Sequence, residues 1–114
     1  MLGISQRKVV TAAQLWSLPD ETEVRVAGLV THRQRPGSAK GVIFATLEDE
    51  TGHVNTVVWP KLVERQRRVL LRSQLLCMVG KVQRQEGVLH LIASKLEDYT
   101  PLLGRIRQPS RDFR

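Results

Sequence analysis

The 114-residue sequence predicts a mainly β fold: a five-stranded barrel with one helix between its third and fourth strands and a short helix before the first. Three observations predict it. From Glu23 onward, apolar residues recur at every second position in five separate runs, the period of half-buried strands. One run, beginning at Pro60, has the helical period instead, and it falls between the third and fourth strand runs. The first strand run is long and carries Gly28 in its middle, where a bulge or bend lets one strand pair at both of its ends and close the sheet on itself.

Taken in order, "VTAAQLWSLP" reads as a short helix. Thr11 caps it, Gln14 completes a capping box, Val10 staples against Leu15 and Pro19 ends it, with Trp16 and Leu18 packing it on the body. "EVRVAGLVTHRQR" is the first strand, and "RPGSAKG" a loop in which Gly37 and Gly41 permit sharp folding. "VIFATLED" and "HVNTVVW" form a hairpin about "DETG", with Asp49 and Gly52 as turn residues. "PKLVERQRRVLL" follows as a single helix. Leu62, Val63, Val69 and Leu70 lie on one of its faces, and Glu64 and Arg68 pair at i,i+4. "QLLCMVGKVQR" and "VLHLIASKLE" supply the last two strands. This order is that of the oligonucleotide/oligosaccharide-binding (OB) fold, five antiparallel strands whose ligand lies across strands two and three. An SH3-like barrel lacks such a helix, and a ferredoxin-like sheet needs one between its first two strands. The chain then divides into an N-terminal extension (1–22), the barrel (23–99) and a basic tail (100–114).

Composition narrows the partners. Eighteen Lys and Arg against eleven Asp and Glu give a net charge of +7 and a pI near 10.5, which favours polyanions and nucleic acid first among them. Thirteen of the eighteen basic residues are Arg, which binds phosphate bidentately and stacks on bases. Cys77 stands alone in "LLCMVG" and reads as a buried thiol. No run is apolar enough to span a bilayer, and the first ten residues lack a signal-peptide core, so the expectation is a cytoplasmic chain with no membrane partner.

Strand parity selects the candidate surface. Ile43, Ala45 and Leu47 form the core face of the second strand, which leaves Phe44 and Thr46 outward. On the third, Val54, Thr56 and Val58 point inward and Asn55, Val57 and Trp59 outward. Phe44 and Trp59 then offer flat rings for base stacking, worth about 1–3 kcal/mol per base. Arg33, Arg35 and Lys40 around the first loop, and Arg84 near Gln85 and His90 at the far loop, are placed to meet phosphates. Arg65, Arg67, Arg68 and Arg72 read as a solvated helix face. Arg105, Arg107, Arg111 and Arg114 of the tail suit either a DNA backbone or, with Phe113, a protein partner. Glu48, Asp49 and Glu50 alternate across the sheet and cannot converge on one metal, and His32, His53 and His90 lack metal-ligand spacing. Neither a catalytic group nor a cofactor is expected in this segment.

"RQRPGSAKG", "LEDETG" with the following Asn and "VVWP", "GKVQRQEGVLHLIASKLED" and the closing "SRDFR" resemble the C-terminal region of bacterial error-prone DNA polymerases, damage-tolerant paralogues of the replicative polymerase III α subunit. The likeness runs from about residue 10 to 114. It implies a non-catalytic, single-stranded-DNA-binding OB module of a larger polymerase that acts in replication, repair and translesion synthesis. The palm domain would lie upstream, Met1 would be a cloning or mis-called start, and the C-terminus would be the natural one. The alternatives are a module docking other proteins of the mutagenic complex, and an RNA-binding OB domain.

Overall fold

The computed structural model describes residues 9–36 and 40–103; Gly37 and the basic residues of the tail lie outside them. The elements are α1 (Ala12–Leu15), β1 (Glu23–Gln34), β2 (Ile43–Asp49), β3 (Gly52–Val58), α2 (Pro60–Arg65), α3 (Arg67–Arg72), β4 (Leu75–Gln85) and β5 (Val88–Asp98). The strands close into a barrel in the order β1-β2-β3-β5-β4, the OB architecture that the sequence predicts. One detail differs from an all-antiparallel ring. β3 and β5 run parallel, through Asn55–Val57 and His90–Ile92. A closed ring with an odd number of strands cannot alternate direction at every contact, so one seam has to be parallel.

β1 is what makes closure possible. Its first half, Glu23 to Leu29, pairs with β4, and its second half, Leu29 to Gln34, pairs with β2. Gly28 sits at the exchange. A Cβ there would lie 2.9 Å from the Glu48 carbonyl oxygen and 3.1 Å from the Leu47 Cβ, so only glycine lets the strands approach this closely. The bulge itself comes later, where the register slips between Val30 and His32 and leaves Thr31 as the extra residue. Gly80 does similar work at the register slip between β4 and β5. There a Cβ would fall 2.2 Å from the Ile92 carbonyl oxygen.

The alternating pattern fills the interior. Val24 and Val26, Ile43, Ala45 and Leu47, Val54 and Val58, Leu76 and Met78, and Leu89 and Leu91 all belong to one core. Thr56 shares that face, and its hydroxyl donates to the Ala45 carbonyl at 2.8 Å, which satisfies the buried oxygen. Cys77 is fully buried on the opposite parity of β4 from Leu76 and Met78.

α1 closes one end. Both bonds of its Thr11–Gln14 capping box are present, and Val10, Ala12 and Leu15 join the barrel core. Asp49 holds it from below, accepting from Ala12 N–H at 2.9 Å through one carboxylate oxygen and from the Thr51 and Gly52 N–H groups through the other. Trp16 departs from expectation. The helix ends at Leu15, Trp16 becomes its C-cap, and the indole turns outward, 58% exposed, while Leu18 packs on the core.

At the other end, the single helix expected after Pro60 is two. Gln66 breaks it with φ −124° and ψ 37°. The reason is tertiary: the Gln66 amide donates to the Leu96 carbonyl and accepts from the Leu96 N–H, both at 2.8 Å, and thereby bolts the helix pair to β5. The break removes the i,i+4 geometry, and no ion pair joins Glu64 to Arg68 among the described residues. The apolar face survives, with Leu62, Val63 and Leu70 buried and Val69 packed against the core.

Gly80→Ala should destabilise the protein by about 3 kcal/mol, because the atoms in the way are backbone and cannot turn aside. A lowered urea midpoint with unchanged m-value is the readout. Asp49 carries a pH dependence. Burial raises its pKa, but the hydrogen bonds from Thr51, Ala12 and Gly52 outweigh burial and leave it lowered. Its contribution is therefore complete above the ordinary Asp pKa of about 3.9 and is lost as pH falls from there through the lower folded-state value. Asp49→Asn should lower Tm at neutral pH, by about 1–3 kcal/mol of stability, and flatten the acid limb of a stability–pH curve.

Candidate nucleic-acid interface

Register across β1, β2 and β3 arranges the outward side chains in rows. Gln34 stands beside Phe44, and Phe44 beside Val57. The next row is His32, Thr46 and Asn55, continued by His90, which pairs with Asn55 across the parallel seam. Gln34 and Phe44 of the first row and all four residues of the second line a groove of about 350 Å³. Phe44 is 37% exposed and lines the groove. Val57 has the outward parity expected of it, yet it is buried in its row between Phe44 and Ile92.

The groove thus combines one aromatic surface with a line of donors and acceptors. Hydroxyl, carboxamide and imidazole groups meet base edges or ribose oxygens equally well, and a ring face stacks any base. Thr31 and His32 are joined by a hydrogen bond at 3.1 Å between the hydroxyl and Nδ1.

Of the residues that the sequence nominates, Phe44, Thr46, Asn55 and His90 come together in this groove. Arg35 and Lys40 are exposed on the loop that joins β1 to β2, one residue beyond Gln34 and four before Phe44. Arg33 does not face the groove. It pairs with inward-facing Ala45 at the barrel rim, and its guanidinium donates to the Leu70 carbonyl at 2.7 Å and to the Ser73 carbonyl. A positive charge on the otherwise unpaired last carbonyls of α3 is a C-terminal cap. Arg84 is employed likewise at the opposite end, donating to the Leu15 and Trp16 carbonyls where α1 finishes, while its backbone N–H donates to Asp20 at 2.8 Å. Trp59 is 53% exposed but sits at the N-cap of α2, outside the groove lining. Of the four cations expected around Phe44, Arg33 and Arg84 are therefore engaged elsewhere, and Arg35 and Lys40 stay exposed on the loop.

Two lining residues, His32 and Gln34, were not nominated by the sequence. The extra residue at Thr31 resets the alternation of β1, so the parity counted from Val24 and Val26 does not carry through to its end. Among the described residues no three His, Cys, Asp or Glu side chains gather as a metal set, and no helix is long and apolar enough to cross a membrane.

Comparison with known proteins agrees with the barrel architecture. The chain is 51% identical over 110 residues to an error-prone DNA polymerase of Ralstonia nicotianae, and 55% identical over 107 residues to one of Pseudomonas fluorescens. These matches cover 96% and 94% of the chain but only 10% of each relative, so the chain spans about a tenth of their length. Among solved structures, it is similar to asparaginyl-tRNA synthetase from Pyrococcus horikoshii, with TM-score 0.67 and 26% identity over 82% of this chain and 23% of that one. The hypothetical protein ygiW of E. coli shares the fold at TM-score 0.59 and 16% identity, covering 79% of this chain and 88% of that one. Residues 24–99 match the family described as the OB-fold nucleic acid binding domain, and the chain belongs to that family.

Proposed function

We propose that this domain binds single-stranded DNA with little sequence preference and takes no part in bond-breaking itself. The observation that carries the reading is Phe44, an outward aromatic beside the polar row His32, Thr46, Asn55 and His90, on a chain with pI near 10.5. Bases stack on the ring and place their edges along the polar row. Arg35 and Lys40 neutralise phosphates at the loop end. The likeness to error-prone DNA polymerases supports the wider setting: a module of a DNA-directed DNA polymerase that holds unpaired template near the active site during synthesis across lesions. Other proteins of that mutagenic complex are its further partners in this reading.

A second reading, RNA binding, is favoured by the similarity to asparaginyl-tRNA synthetase. Hydroxyl and carboxamide groups along the groove suit a 2′-hydroxyl as well as a base edge. Matched deoxy and ribo oligomers separate the two: preference for the ribo series overturns the DNA assignment.

Phe44→Ala should weaken binding to an oligo-dT by about 1–3 kcal/mol without changing its salt dependence. The double variant Arg35→Ala, Lys40→Ala should instead flatten the log–log salt slope by about 1.4, at about 0.7 per phosphate released. Oligo-dT affinity that ignores Phe44→Ala would sink the groove assignment. Arg33→Ala gives the contrasting result: a lower Tm from the uncapped α3 carbonyls, with the salt slope unchanged.

A further inference from the structure

We infer that the nucleic-acid path does not end at the Phe44 groove but continues up the outer face of β2 and β3 to Trp16, which serves as a second stacking platform. The inference rests on the single-strand-binding reading above and extends it to residues that neither the family match nor the sequence pattern nominates.

Three hollows on this face share walls. The Phe44 groove, of about 350 Å³, has His32, Thr46 and Asn55 in common with a second hollow of about 300 Å³. That second hollow is also lined by Glu48 and His53, and His53 in turn lines a third, of about 310 Å³, whose far wall is Trp16. The sequence of hollows follows the strands. Phe44 opposes Val57 near one end of the hairpin and Asp49 opposes Gly52 at the other, five residue steps or about 17 Å away at ~3.4 Å per residue. A strand of a few nucleotides fits that run, at the short end of the site sizes of about 4–16 nucleotides observed for OB folds.

Trp16 is suited to the task by how it is held. The indole is 58% exposed, yet the short helix that carries it is held at three points, at Ala12, at Ala13 and at the Trp16 carbonyl. Arg84 grips that carbonyl, Asp49 accepts from Ala12 N–H, and the Thr51 hydroxyl accepts from Ala13 N–H at 3.0 Å. A large ring on a rigid base loses little freedom when a base stacks on it. Glu48, in the middle hollow, fixes which side of the strand faces the protein. Its carboxylate repels phosphate but accepts hydrogen bonds from base N–H groups, the ring N3–H of thymine among them, so the bases lie inward here and the backbone outward.

The two tryptophans of the chain allow a direct test. Trp59→Phe leaves Trp16 as the single tryptophan, excited at the red edge of the indole band where Tyr99 does not absorb, and it alters an exposed side chain whose cap position makes no side-chain hydrogen bond. The variant is titrated with a short oligo-dT of about 3 nucleotides and a long one of about 12, on either side of the lower site-size bound. The long oligomer should quench Trp16 emission and shield it from acrylamide, and the short one should do neither. In the wild-type background, Trp16→Ala should weaken the long oligomer about tenfold and leave the short one unchanged, whereas Phe44→Ala weakens both. If the long oligomer binds in a Phe44-dependent way while Trp16 emission stays unmoved and Trp16→Ala binds like wild type, the path ends at the first groove. The extension is then overturned and the single-strand reading stands. Loss of binding at both lengths in the wild-type chain overturns the two together.

Discussion

Closure of the barrel depends on one strand serving two neighbours. β1 gives its first half to β4 and its second half to β2, and Gly28 is where the backbone of β2 comes too close for any side chain. Everything functional follows from that exchange. It brings β2 and β3 onto the second half of β1, lays the Phe44 row beside the Thr46 row, and leaves their outer face uncovered. The helices then close the ends, not the face: α1 above the β2–β3 turn, α2 and α3 below, each fastened by side chains that reach backbone groups, Asp49 to Ala12 and Gln66 to Leu96.

The positive charge of the chain is distributed more unevenly than its total suggests. Arg33 and Arg84 finish helices, and Arg25, 8% exposed on β1, lies 3.5 Å from both Glu97 and the Tyr99 hydroxyl. These guanidinium groups are structural parts in a small barrel whose short helices leave carbonyls unmet. Among the described residues, the exposed loop pair Arg35 and Lys40 stands free of such duties, as do Lys61 and the solvated arginines of α2 and α3. The groove itself is polar and aromatic, lined by no Lys or Arg. In the proposed reading such a surface grips through stacking and hydrogen bonds, with charge supplied from its margin.

How much of this was legible in the sequence depended on whether alternation ran unbroken. In β2 and β3 it did, and the inward set Ile43, Ala45, Leu47, Val54, Thr56 and Val58 is buried as parity requires, with Phe44, Thr46 and Asn55 outward. In β1 the bulge at Thr31 breaks the alternation, which hid His32 and Gln34, while Arg33, nominated for its place beside the first loop, is drawn to the α3 carbonyls. The helix break at Gln66 was invisible because the apolar pattern continues on both sides of it; only the partner, Leu96, thirty residues away, explains the kink. Trp16 misled for a similar reason. Its spacing fitted a longer helix, but the helix stops one residue earlier.

The parallel seam has a consequence of its own. It is the shortest ladder in the ring, running only through Asn55–Val57 and His90–Ile92, and it lies directly under the row that joins Asn55 to His90. A bound chain touching both residues would act as a suture over the place where the ring has least to hold it shut. Occupancy and breathing of the barrel are then reciprocal: whatever tightens one edge against the other also tightens its hold on the guest.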